Sequence, residues 1–310
     1  MAVGVTSGYY VAGVTTNSYT TNFIPEIWSG KLQVKFYKST VLGEITNNDW
    51  EGEIKGQGDK INIRTIPTIT IRDYTKGLNL TNEVPISTPT TLSIDYGKYF
   101  SVVVDDIDKA QSDVALMDMF TNDAAQQMKI AIDSVVLDGV KAAAVAANKG
   151  ATGGALSANI NLGTDAAPFS FSKSTALDCI LNMGLALDEQ NVPEDGRWIV
   201  IPAWAASLIK GSELRQAYLT GDDTSVLRNG KLGMIDRFTV YVSNNLPKTA
   251  DLDSYIMAGT RDAISFASQI TDVETLRSTS TFGNIMRGLN VFGYKVVKPE
   301  ALVNGVIVKA

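Results

Sequence analysis

Residues 112–148 read SDVALMDMFTNDAAQQMKIAIDSVVLDGVKAAAVAAN, a run without proline whose one interior glycine is Gly139. Met117, Phe120, Ala124, Met128, Ala131 and Val135 recur at steps of three and four, the spacing of one helical face. Asp113, Asp118, Asp123, Asp133 and Lys141 fall mostly on the remaining surface. Ser112 is placed as an N-cap with Asp113 in the first turn, and Lys149 and Gly150 supply a basic residue and a left-handed stop. About 36 residues at 1.5 Å each span roughly 54 Å. A helix of that length acts as a spine along which other parts of a chain are laid out, and it constrains the fold more than any other stretch here.

The rest of the sequence narrows the chemistry. The chain has 310 residues, enough for two domains, and its hydrophobic content of 45% and charged content of 19% are those of a globular protein. No apolar run approaches the roughly 18 residues of a membrane span, and residues 1–23 lack the basic start and apolar core of a signal peptide. There is no histidine, which excludes Ser-His-Asp and Cys-His catalysis and the usual His/Cys zinc sites. The single cysteine, Cys179, cannot form an intrachain disulfide and reads as a small buried hydrophobe, which fits a reducing cytoplasm. No phosphate-binding GxxxxGK[ST] loop occurs, and Gly56, Gly58, Gly150, Gly153 and Gly154 do not complete a dinucleotide fingerprint. Carboxylates are plentiful, but no pair is singled out for catalysis. Asp105, Asp106 and Asp108 lack calcium-loop spacing and read as a solvated approach to the spine. Neither a catalytic residue, a cofactor nor a metal ligand is assigned. A net charge of −6 gives no reason to expect a grip on a polyanion.

In chain order, residues 1–25 are rich in Gly, Thr, Asn and Tyr and suit an extended arm. Ile27, Trp28, Leu32 and Phe36 then fit a short amphipathic helix. From Gly56 the texture changes. Ile61, Ile63, Ile69 and Ile71 hold odd positions while Lys60, Asn62, Arg64, Thr68, Thr70 and Arg72 hold even ones, which is strand alternation. A second alternating run at 92–96 makes an extended β-hairpin with a polar tip at 74–85. Pro67 demotes the first strand to an edge or an unpaired ribbon. Such a ribbon is marginal alone and must lie either on its own domain or on a neighbouring subunit. A strand at 99–104 leads toward the spine. After it, a Gly/Ala/Asn-rich loop at 150–168 marks a boundary. Beyond the loop, helices and strands alternate. A helix at 174–190 carries Leu177, Ile180, Leu181 and Leu185 on one face, a strand follows at 197–201, and a second helix starts at Pro202. Strands are read at 237–242, 254–258, 263–266 and 288–297, with an apolar end at 306–308.

This order of parts resembles the major capsid proteins of tailed bacteriophages, whose shared fold is named after the phage Hong Kong 97. The likeness is carried by IPEIWSGKLQVKFYKSTVLGEI at 24–45, GQGDKINIRTIPTITIRDY at 56–74, RWIVIPAWAASLI from Arg197 and STFGNIMRGLNVFGYKVVKPEAL from Ser280. The resemblance implies an α+β chain with a long spine helix, an extended β-hairpin loop, and peripheral and axial domains. It divides into an N-terminal arm (1–27), a first peripheral part (28–57), the hairpin loop (58–96), the peripheral spine part (97–155), the axial α/β domain (156–280) and returning peripheral strands (281–310). The implied function is a non-enzymatic subunit that self-assembles, as hexamers and pentamers of its own copies, into an icosahedral head shell around double-stranded DNA. A cellular nanocompartment shell of encapsulin type is the close alternative, and a carboxylate-dependent α/β hydrolase or a carbohydrate-binding module are the readings from other classes. Further implied partners are a separate scaffolding protein, since no long region precedes the arm, a portal protein and a cement or decoration protein. The packaged DNA is met only by non-specific contact, no membrane is involved, and assembly takes place in the host cytoplasm. Contacts between subunits are expected at Lys60, Arg64, Ile69, Ile71, Arg72, Tyr74 and Lys76. Lys60, Arg64 and Arg72 either pair with acidic neighbours or stay solvated. Lys76 lies near the tip, where the best-known member cross-links lysine to asparagine; no apposed asparagine and acid are evident, and it reads as a surface lysine.

Overall fold

The computed structural model describes residues 37–49, 60–67, 69–87, 89–105, 116–212, 233–249, 253–279 and 282–310, all within one unit, Phe36–Ala310. The expected arm and the amphipathic helix before Tyr37 lie outside the described residues.

The central strand of the larger sheet, β5 (Arg197–Ile201), is buried at every position, so it needs cover on both faces and neighbours on both edges. It pairs in parallel with β7 (Phe238–Val242) and antiparallel with β8 (Ser254–Thr260). With β4 (Phe169–Phe171), β6 (Met234–Ile235) and β11 (Leu302–Lys309) the sheet runs in the order β4-β11-β8-β5-β7-β6. Two helices, α3 (Ala176–Glu189) and α4 (Ala203–Lys210), bury one face each, and α4 begins after Pro202, where a missing N–H costs nothing. On α3 the inward residues are Cys179, Ile180, Met183 and Leu187, while Leu181 and Leu185 stand out in solvent. The expected face was therefore displaced by part of a turn, because a helix apolar almost all round offers two stripes at the same spacing. Cys179 is buried as expected, and burial pushes its thiol up to about 12.

The spine ends at Val140, short of the expected 148, and its expected start at 112–115 lies outside the described residues. As described, α2 spans Leu116–Val140, 25 residues and about 37 Å. Beyond Val140 the alanine-rich run is taken over by the fold around it. The Asn304 Nδ2 donates to the carbonyls of Val140 and Lys141 at 3.2 and 2.5 Å, and the Val145 N–H donates to the Pro299 carbonyl. Tertiary hydrogen bonds outweigh the propensity of alanine to continue. Asp133, expected on the solvent side, is buried instead and accepts hydrogen bonds from the amides of Val41 and Leu42, at the start of the single turn α1 (Leu42–Ile45).

The second sheet has three strands in the order β3-β10-β9. Strands β9 (Ile264–Arg277) and β10 (Gly283–Val296) form a 14-residue antiparallel hairpin, and β3 (Tyr96–Asp105) pairs along the other edge of β10. Residues 264–277 thus pair in the three-stranded sheet, and residues 302–309 pair between β4 and β8 in the larger sheet. The alternation of a strand shows that it has a buried face, not which sheet provides the cover.

The third sheet is the base of the expected hairpin, β1 (Lys60–Arg64) against β2 (Pro89–Ser93), with five residue pairs. It rests on β9 through a small core of Ile63, Leu92 and Ala267, with Ile61, Ile94 and Val297 packed around it. A Cβ at position 293 would fall 2.2 Å from the Ser93 carbonyl oxygen, so only Gly293 lets β2 cross β10 this closely.

Candidate assembly interface

Between β1 and β2 the chain runs out through residues 65–87 with no strand among the described positions, so the expected long ladder is confined to its base. Pro67 and Pro85 each remove a ladder donor, and Pro89 opens β2. Side chains hold the two limbs together instead. The Thr70 backbone N–H and hydroxyl donate to the two Glu83 carboxylate oxygens at 3.3 and 3.4 Å, and the Ser87 hydroxyl donates to the Thr65 carbonyl at 2.6 Å. The tip turns at residues 75–78, closed by the Leu78 N–H on the Thr75 carbonyl, with Gly77 at φ +94°.

What this loop carries is apolar. Ile66 and Ile71 are 96% and 91% exposed, and Ile69, Tyr74, Leu78, Leu80, Val84 and Ile86 are all at least half exposed. Isolated exposed hydrophobes are ordinary, but here they form a row along one loop. All seven residues expected in contacts are exposed. Lys60 and Arg64 lie on the outward face of β1, and Ile69, Ile71, Arg72, Tyr74 and Lys76 follow along the outgoing limb and tip. Arg64 also lines a recess of about 520 Å³ at the base of the loop, together with Ile66, Asp262 and Lys298.

A second apolar surface was not anticipated. On β3 the odd residues Tyr99 and Val103 are 79% and 53% exposed. Register places Tyr99 beside Leu289, Ser101 beside Arg287 and Glu274, and Val103 beside Ile285 and Leu276. Leu289 and Leu276 are exposed too, so two apolar rows flank one ion pair, Arg287 to Glu274 at 2.6 Å. The opposite face is covered by the spine, where the Thr121 hydroxyl lies 2.9 Å from the Met286 sulfur. The signal was present in YFSVVV at 99–104, which is apolar on both alternating faces; one face should then need cover from outside the sheet.

Among the described residues no group of three or more acidic or cysteine side chains could hold a metal ion, and no helix is long and apolar enough to cross a membrane. The geometry offers large exposed surfaces rather than converging reactive groups.

Comparison with known proteins agrees. A family model described as phage capsid protein matches residues 88–305. A solved structure from Mycobacterium phage Che8 superposes with a TM-score of 0.75 at 30% identity, covering 93% of this chain and 97% of that one. The capsid structure of the cyanophage P-SCSP1u gives 0.71 at 14% identity, covering 98% and 100%. The capsid of a native GTA particle gives 0.63 at 12% identity, covering 96% and 100%. No curated protein matches the chain in sequence.

Proposed function

Because this chain belongs to the phage capsid protein family, and is a major capsid protein forming the shell of a phage head, we propose that it closes that shell by laying its 65–87 loop across a neighbouring copy. The observation that carries this reading is the row of exposed isoleucines, leucines and valines on a loop whose limbs are linked by the Glu83 and Ser87 side chains. The outward face of the three-stranded sheet, with Tyr99, Val103, Leu276 and Leu289, is a receiving surface of matching character. Burying three or four loop side chains contributes about 1.5–3 kcal/mol each, before the costs of ordering the loop are subtracted. One such contact is weak. Repetition round a closed shell makes it sufficient, since each added subunit is held at several places at once. Lys60, Arg64, Arg72 and Lys76 set the orientation of the loop against acidic groups of the neighbour.

The subunit acts without catalysis. It assembles in the host cytoplasm, as hexamers and pentamers, on a separate scaffolding protein and around a portal protein, with a cement or decoration protein added outside. Its net charge of −6 keeps its contact with the packaged double-stranded DNA non-specific and releasable. The six-stranded sheet with α3 and α4 serves as the axial part, and the spine with the three-stranded sheet as the peripheral part.

The test is a double substitution, Ile69→Asp with Ile71→Asp, in the full chain. Both side chains lie outside the buried clusters, so the thermal midpoint should stay within a few degrees of the parent's. Electron microscopy should show free subunits or capsomers and no closed shells. Normal shells from this variant would refute loop docking.

A further inference from the structure

Strand β3 is an open edge of the three-stranded sheet, and its backbone groups can be assigned to one side or the other. The Ser278 N–H donates to the Gly283 carbonyl at 2.9 Å, so hydrogen-bonded pairs of the β9–β10 ladder recur from there at Ile285 and Arg287. The intervening Asn284, Met286 and Gly288 turn their backbones to β3, where register sets them beside Val104, Val102 and Phe100. The alternate residues Tyr99, Ser101 and Val103 therefore aim N–H and C=O away from the sheet. Among the described residues no hydrogen bond reaches the backbone of these three. Sheet edges are normally blunted by proline, by bulges or by charge. Strand β3 has no proline, no bulge in its pairing with β10, and Lys98 as its one charged residue before Asp105.

The 65–87 loop presents the converse. In its outgoing limb the Thr70 N–H faces inward to Glu83. The neighbours of Thr70 along an extended chain point their N–H and C=O the opposite way. The backbones of Ile69, Ile71 and Asp73 have no hydrogen bond among the described residues, and no residue of the described limb before Gly77 has a positive φ. The loop thus carries outward donors and acceptors at Ile69, Ile71 and Asp73, and β3 carries them at Tyr99, Ser101 and Val103, both at a two-residue spacing. The two sets do not meet within one chain. We propose that the outgoing limb of one copy joins β3 of a neighbouring copy as a fourth, antiparallel strand, which rests on the loop docking argued above and gives it a mode.

Antiparallel pairing lets each residue offer both its N–H and its C=O to a single partner, so three residues on each side close without a remainder. Residues paired in this way carry their side chains on the same face of the sheet. Ile69 and Ile71 then fall on the face of Tyr99 and Val103 and extend the exposed apolar rows that include Leu276 and Leu289. The bonds from Thr70 to Glu83 lie on the far side of the added strand and are kept. Pro67 precedes the first pairing residue, where its missing N–H costs the ladder nothing.

Ser101→Pro is the test, with Ser101→Ala as its control. Proline deletes the central outward N–H of β3, while Phe100 and Val102 keep their bonds to β10. The purified Ser101→Pro chain should melt within about five degrees of the parent and give no closed shells by electron microscopy, whereas Ser101→Ala should give shells like the parent's. Hydrogen exchange of the parent reads the same bonds without substitution. From free subunits to shells, the amides of Tyr99, Ser101 and Val103 should slow by about tenfold or more, as should those of Ile69, Ile71 and Asp73. If Ser101→Pro fails to fold, the exchange result decides. Amides at 99, 101 and 103 that exchange as fast in shells as in free subunits overturn strand addition, as do normal shells from a folded Ser101→Pro chain. When Ile69→Asp with Ile71→Asp still abolishes shells, either of those results leaves loop docking standing through side chains alone. Normal shells from that double variant remove docking and strand addition together.

Discussion

At single positions, what matters is how much room and what charge a side chain meets. Gly139 lies in the last turn of the spine, where a Cβ would fall 1.8 Å from the Tyr294 hydroxyl oxygen and 2.5 Å from its ring. The Tyr294 ring cannot swing away freely, because it is stacked on Tyr96 at 5.1 Å. Gly139→Ala should therefore cost about 1–3 kcal/mol from overpacking, against a gain of up to about 1 kcal/mol in helix propensity. Urea unfolding would detect the net loss, and an unchanged or raised stability would show that Tyr294 yields easily. Cys179 gives a second check. Its thiol, pushed up to about 12 by burial, should not label with a thiol reagent at about pH 8 until the chain is unfolded. Rapid labelling of the native subunit would contradict its burial. Cys179 was legible from its apolar neighbours in sequence, whereas Asp133 was not. A helical wheel puts an aspartate on the polar side, and only the folded chain brings the Val41 and Leu42 amides and Asn245 to it.

Among elements, the hairpin shows where pattern reading succeeds and stops. Alternation found β1 and the buried positions Ile63 and Leu92. It then carried the same strand through Ile69 and Ile71, where prolines and missing partners leave an open loop. Alternation reports side chains, while a ladder needs backbone donors opposite acceptors. The spine was found but drawn too long, since propensity extends through 142–148 and the bonds from Asn304 do not appear in local sequence. Because the small core of Ile63, Leu92 and Ala267 sits at the base of the hairpin, the exposed loop is separable from it. Replacing residues 75–88 by a short Gly/Ser turn should leave a folded subunit with a near-normal thermal midpoint that makes no closed shells. A globally unfolded product would instead place the loop in the core, and normal shells would remove it from assembly.

At the level of the whole molecule, the family was readable from the order of parts, but the sheet connectivity was not. Nothing local distinguishes the partners of 264–277 from those of 302–309, since both are runs that any sheet could accept. Shell closure by many weak contacts also predicts a collective response. When the loop-shortened chain is co-expressed with the full chain, the yield of closed shells should fall more steeply than the fraction of full chain, because every shell needs all its positions filled. A proportional decline, read by sedimentation, would mean that subunits add independently. The position of β11 has one more consequence. Among the described residues strand β4 pairs with β11 alone, and β8 has β11 as one of its two neighbours. Residues 302–309 are translated after every strand they join, so the larger sheet stays open while the ribosome is still at work. A chain in that state already displays its greasy loop, at a synthesis rate of roughly 5–20 residues per second, for about 10–40 seconds before its own sheet can close. The order of translation thus makes the nascent chain, rather than the finished subunit, the form most in need of a chaperone.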